Sequence, residues 1–116
     1  MPESTARKIV DEFGAAFAAK DFTGARRLLH DDLSFEGPLD KFSRADDYVA
    51  SITRLGTMMK GLRHEKTLAE GDDVAVFYVL DTALGLAPVA DWYTVRGGKI
   101  ASIRTYFDAR PFAQAH

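Results

Sequence analysis

The chain has 116 residues, 47% of them hydrophobic, with a formal net charge of −2 and no cysteine. That size and apolar content fit one domain, residues 1–116, around one core, and set aside disorder. The lack of cysteine excludes disulfides, thiolate metal sites and a cysteine nucleophile, and interspersed acids and bases leave no basic stripe for nucleic acid.

His30, His64 and His116 match no zinc spacing, so no metal is expected. No apolar run is long enough to span a bilayer. Met1-Pro2-Glu3-Ser4 leads into a helix pattern without a signal-peptide core, and a soluble cytoplasmic protein is expected.

In chain order, Ala6, Ile9, Val10, Phe13, Ala16 and Phe17 form one apolar stripe at helical spacing, with Ser4 as N-cap. A second short helix is expected from Asp21. Leu33–Glu36 reads as a short strand stopped by Gly37-Pro38, followed by a loop to Ser43. Ser43 and Asp46 resemble a capping box before a third helix, with Tyr48, Ile52, Leu55 and Met59 on one face and Gly61 as its stop. After Gly61 the pattern is all strand. Leu62–Glu70 is polar and suits a sheet edge, and Gly71-Asp72-Asp73 is a turn. Val74–Leu84 is apolar on both parities, Gly85–Pro88 turns the chain, and Val89–Val95 with Ile100–Asp108 forms a final hairpin around Gly97-Gly98. Helices first and an antiparallel meander afterwards make an α+β fold, with the helices covering one face of the sheet. Trp92, Tyr78, Arg104 and Tyr106 are assigned to the opposite face, which is aromatic enough to predict a homodimer contact.

Two carboxylates stand in otherwise apolar alternations. Asp91 shares its parity with Val89, Tyr93 and Val95, and Asp81 shares its parity with Phe77, Val79 and Ala83. A three-residue turn centred on Leu86 would put Asp81 directly opposite Asp91, about 5 Å apart at Cβ. Acids that close cannot both ionise cheaply, so one would be raised into the range useful for acid–base work. In the last hairpin, a two-residue Gly97-Gly98 turn would bring Arg104 opposite Asp91. A three-residue loop would instead turn Ile103, Thr105 and Phe107 inward, and this register is preferred because it keeps Arg104 out of the cavity. Phe13, Phe17, Phe35, Tyr48, Ile52 and Met59 are expected as core or pocket wall. Tyr93 is a candidate hydrogen-bond donor to a ligand, and His64 a candidate lining residue.

Lys20-Asp21, His30-Asp31-Asp32, Gly98-Lys99-Ile100 and Tyr106-Phe107-Asp108, set in three helices followed by a meander, resemble the SnoaL-like branch of the nuclear transport factor 2-like superfamily. The resemblance covers nearly the whole chain. It implies a cone-shaped, cystatin-like fold: three N-terminal helices packed on a curved antiparallel sheet, with a mostly apolar pocket between. Relatives include polyketide cyclases, ketosteroid isomerases and limonene epoxide hydrolases. Of three isomerase roles, the helix tyrosine position matches Phe13, the general-base position matches Gly37, and the protonated-aspartate position matches Asp91. For the epoxide hydrolases, Asp81 matches one acid, Val79 the arginine, Thr105 the other acid, and Phe35 and Gly37 the water-holding pair. Asp108 matches a residue common in the family and reads as structural. The resemblance implies a small hydrophobic ligand bearing a ring or carbonyl, and no cofactor. If there is catalysis, it would be proton transfer at a carbon acid, with Asp91 as acid/base and Asp81 modulating it. The rival is a non-catalytic binding or dimerisation module.

Overall fold

The stripe Ala6, Ile9, Val10, Phe13 and Phe17 is the buried face of α1 (Thr5–Ala18) in the computed structural model, which describes residues 5–113. Ser4, expected to cap this helix, lies outside them, as does His116. At α2 (Phe22–Arg27) the Asp21 side chain accepts from the Gly24 amide at 2.9 Å, the capping bond a helix N-terminus needs. β1 (Leu29–Glu36) begins earlier than the expected Leu33. β2 (Lys41–Phe42) pairs with its end; two residues are too few to show a period, so the sequence reads there as loop.

α3 spans Ala45–Gly56. The expected Ser43–Asp46 capping box does not form, and Arg44 occupies the N-cap without a side-chain bond. Asp46 instead accepts from Arg26 Nε at 2.8 Å, while Arg26 also donates to Asp31 at 2.7 Å, which ties α2, α3 and β1 together. The helix stops at Gly56 rather than Gly61. Met59, placed on the helix by its spacing, opens β3 (Met59–Glu70) and pairs with Thr82.

β4 (Asp73–Thr82), β5 (Gly85–Arg96), β6 (Lys99–Phe107) and a turn of helix, α4 (Arg110–Ala113), complete the described elements. β3 to β6 form an antiparallel meander, and β1 joins it parallel to β6, giving the order β2-β1-β6-β5-β4-β3 in one curved sheet. The polar strand β3 is the edge, as its composition predicts. α1 lies across β3 to β6 and α3 packs on β1 and β2; the core between them includes Leu29, Leu33, Val74 and Ile100, all fully buried. No helix among the described residues is long and apolar enough to cross a membrane.

The β4–β5 register differs from the expected one. The turn is Ala83-Leu84, not a loop centred on Leu86, and Gly85 already pairs with Thr82. The Thr82 hydroxyl holds this turn, donating to the Gly85 carbonyl at 2.7 Å and accepting from the Leu84 amide at 3.1 Å; Gly85 supplies a φ of 114°. Asp91 therefore faces Val76, and Asp81 faces Leu86. A one-residue parity change moves every β4 side chain to the other face. Val74, Val76, Tyr78, Leu80 and Thr82 point inward. Phe77, Val79 and Asp81 point outward, opposite to the assignment from the sequence, and Tyr78 leaves the outer face for the inner one. Pro88 lies one residue beyond the last β5–β6 pair at Val89, where β5 is locally an edge and tolerates proline.

The expected three-residue loop of the last hairpin does not form, although Ile103, Thr105 and Phe107 still turn inward. Gly97 and Gly98, both at positive φ (59° and 83°), make a two-residue turn between Arg96 and Lys99. The register then slips between Thr94 and Val95, leaving Ala101 as an extra residue on β6. Beyond that bulge Thr105 stands opposite Asp91, and Arg104 points outward over the Trp92 ring at 5.4 Å.

These faces predict opposite responses at adjacent positions. Leu80→Ala, at a 5% exposed site, should cost about 2–3 kcal/mol, and Asp81→Ala less than about 0.5 kcal/mol. Urea unfolding of both variants checks the register; a larger loss at position 81 would contradict it.

Candidate functional site

Between the helices and the inner face of the sheet lies a cavity of about 440 Å³, within the size range of small-molecule sites. Its helical wall is Val10, Phe13 and Phe17 from α1 with Tyr48, Ser51, Ile52 and Leu55 from α3. Its sheet wall is Val76, Tyr78 and Leu80 from β4, Ala87, Val89, Asp91 and Tyr93 from β5, and Thr105 and Phe107 from β6. Phe35 adds a face, sitting 4.7 Å from Tyr48 between ring centres, and Phe112 closes on Phe107 edge-to-face at 5.6 Å. The lining is aromatic and aliphatic with few polar atoms.

The polar centre is Asp91, 5% exposed. Register puts Thr105 directly across from it on β6, Tyr93 two residues along β5, and Tyr78 diagonally across on β4. Tyr78 Oη and Tyr93 Oη donate to Asp91 Oδ2 at 2.8 and 2.9 Å, and Thr105 Oγ1 donates to Oδ1 at 2.7 Å. Among the described residues no cation pairs with this carboxylate. Burial pushes Asp91 up from the ordinary aspartate value of 3.8, and the three hydroxyl bonds oppose the shift without cancelling it. Burial, with the Asp91 charge second, also holds the Tyr48, Tyr78 and Tyr93 hydroxyls well above the usual phenol range, so they stay protonated.

His64 and Thr67 stand at the cavity's β3 side. Three residues apart on a regular strand, they would face opposite ways. The register shift between His64 and Lys66 leaves Glu65 as an extra residue, so His64 pairs with Tyr78 and Thr67 with Val76 on the same face. His64 Nε2 and Thr67 Oγ1 are 2.7 Å apart.

Of the residues expected at the site, Phe13, Phe17, Phe35, Tyr48, Ile52, His64, Asp91, Tyr93, Thr105 and Phe107 line this one cavity. Met59 is buried but packs outside it. Phe77, Val79 and Asp81 lie on the other face, so no Asp81–Asp91 pair exists. Sequence reasoning missed Tyr78, whose hydroxyl holds the central carboxylate. One signal was available: a charge such as Asp81 within a strand apolar on both parities favours placing that parity outside. Among the described residues no cluster of three or more His, Asp or Glu could hold a metal ion.

The sequence model of the SnoaL-like domain matches residues 10–103. Among curated proteins no match to the chain is found. Among solved structures, the chain is similar to an NTF2-like protein of unknown function from Cytophaga hutchinsonii (26% identity, 97% of each chain covered, TM-score 0.82). It shares its fold with a steroid delta-isomerase from Pseudomonas aeruginosa (18% identity, 97% of this chain and 88% of that one, TM-score 0.83). It also shares it with an LEH-like epoxide hydrolase from M. tuberculosis (22% identity, 97% and 90%, TM-score 0.77).

The raised Asp91 has a definite pH signature. The folded state holds this proton more tightly than the unfolded chain, so its contribution to stability is greatest below 3.8 and is lost as pH rises through the folded value. The stability difference between wild type and Asp91→Asn should therefore shift against wild type as pH climbs from 3.8. Urea unfolding between pH 3.5 and 7 (~0.5-unit steps) checks this; a difference that shifts in favour of wild type would contradict it.

Proposed function

The chain belongs to the SnoaL-like domain family of the nuclear transport factor 2-like superfamily, and from that premise we propose that it is a cytoplasmic, cofactor-free acid–base protein acting on a small hydrophobic molecule with a carbonyl-acidified carbon. The observation that carries this reading is Asp91: a carboxylate buried in an apolar cavity, held by three hydroxyl donors and facing no cation among the described residues. A carboxylate made more basic by burial is suited to take a proton from carbon at neutral pH. The C–H bond breaks, an O–H bond forms on Asp91, and the ligand becomes an enolate. Return of the same proton to the far carbon of a conjugated dienolate completes an isomerisation, and attack of the enolate on a second carbonyl, with the Asp91 proton passing to the new alkoxide oxygen, completes an aldol-type ring closure. The hydroxyls around Asp91 hold its position through both states.

The alternative is a ligand carrier without catalysis. It is favoured by Phe13 and Gly37, which stand where isomerase relatives carry catalytic groups, and by the outward placement of Asp81. We propose in addition that the outer sheet face meets a second copy of the chain. Phe77, Trp92 and Tyr106 are each more than a third exposed there, at 38%, 43% and 53%, and a two-fold contact would cover the same patch on both copies.

Deuterium uptake from D2O at the α-carbon of an enolisable bicyclic ketone, followed by proton NMR, tests the catalytic reading. Asp91→Asn should slow uptake at least about 100-fold with an unchanged circular dichroism spectrum; equal uptake by both proteins would leave the carrier. Sedimentation should show a dimer that Trp92→Glu with Tyr106→Glu converts to monomer, and a wild-type monomer at ~100 µM would refute the contact.

A further inference from the structure

α1 presents two different exposed faces. Away from the cavity it carries Thr5, Lys8 and Glu12. Beside the cavity it carries Asp11, Gly14, Ala15 and Ala18, all four exposed and all four lining it. Deeper in the same wall the helix buries Val10, Phe13 and Phe17, so the cavity runs out to solvent along this side of α1. An exposed helix face ordinarily takes long polar helix formers. Here Gly14, Ala15 and Ala18 put nothing larger than a methyl group beside the opening, and Asp11 is paired along the helix with Arg7, 3.7 Å away. Elsewhere the exposed lining is bulkier, with Leu39 after β1 and His64 on β3.

Gly14 has no local explanation. Glycine is second only to proline in weakening a helix interior, and the φ of Gly14 lies outside the left-handed region that favours it. Packing does not require it either. A Cβ at Gly14 would meet no described atom within 4 Å, whereas one at Gly56 would sit 2.9 Å from the Phe22 ring. Alanine would fit at position 14 and would strengthen the helix. What the missing side chain leaves is open space at the rim of the cavity.

Resting on the reading of this cavity as a ligand site, we propose that Gly14 is its entrance: the ligand passes over the bare stretch of α1 at Gly14, Ala15 and Ala18, and the absence of a side chain at position 14 sets the rates of entry and release. The helix gives up stability for access. An obstruction at an entrance raises the one barrier that entry and release both cross, so it slows both by the same factor and leaves Kd where it was. A side chain that reached into the binding space itself would raise Kd instead.

Stopped-flow binding of N-phenyl-1-naphthylamine, a neutral dye that brightens in apolar surroundings, tests this on the intact chain. Gly14→Leu should slow association and dissociation each at least about 10-fold, with Kd within about 2-fold of wild type. Gly14→Ala should slow both by less than about 3-fold and raise the urea midpoint of unfolding. Glu12→Leu adds a leucine on the face turned away from the cavity and should change neither rate. Leucine is a better helix former than glycine, so Gly14→Leu should keep the fold, which circular dichroism checks. Wild-type rates in Gly14→Leu, a raised Kd without slower association, or equal slowing in Glu12→Leu would overturn the inference and leave the cavity reading standing. A dye that does not bind wild type at all would overturn both.

Discussion

A carboxylate withdrawn from water with no cation beside it is disfavoured by several kcal/mol unless hydrogen bonds replace its hydration, and the inside of this protein is arranged around one carboxylate that meets no cation among the described residues. Asp91 accepts from three neutral hydroxyls, each at 2.7–2.9 Å. Two effects compete. Hydrogen bonds to a carboxylate favour its charged form, and burial opposes it. Neutral hydroxyls are weaker partners than backbone dipoles backed by a cation, and here burial wins. The result is an acid that gives up its proton less readily than aspartate in water, among side chains that cannot neutralise it. That balance is the basis of the proposed chemistry.

The arrangement is set by backbone register more than by any single side chain. Tyr78 reaches Asp91 because the β4–β5 turn closes at Ala83-Leu84, and Thr105 reaches it because Ala101 bulges out of β6. The Glu65 bulge likewise turns both His64 and Thr67 inward. Remove either shift on the flanking strands and the polar group exchanges places with an outward residue. On the outer face the same registers stack Arg104 over Trp92 and let Asp73 accept from Trp92 Nε1 at 3.0 Å and Thr94 Oγ1 at 2.9 Å. One set of pairings thus fixes both surfaces of the sheet.

The sequence carried the fold because its periods were clean. The α1 stripe, the polar edge strand and the Gly97-Gly98 hairpin each have an unambiguous physical signature. Asp91 was legible as an acid on a regular apolar alternation, and Thr105 followed from keeping Arg104 out of the interior. The β4 face was not legible, since Val74–Thr82 is apolar on both parities and its turn has no Asn-Gly or Gly-Gly signal. The Thr82 hydroxyl closes that turn, a weak side-chain cue in sequence. Asp81 and Tyr78 consequently exchanged places between expectation and structure. Met59 kept helical spacing with Leu55 by coincidence and belongs to a strand, because the helix stops at Gly56.

The most direct measurement is a carboxyl-carbon NMR titration of Asp91 in the ligand-free protein. The account predicts a midpoint above 3.8, with the Tyr78 and Tyr93 ring signals moving in the same transition. A midpoint at or below 3.8 would contradict it. The hydroxyl bonds would then outweigh burial, and Asp91 would be a fixed structural anchor no more basic than aspartate in water.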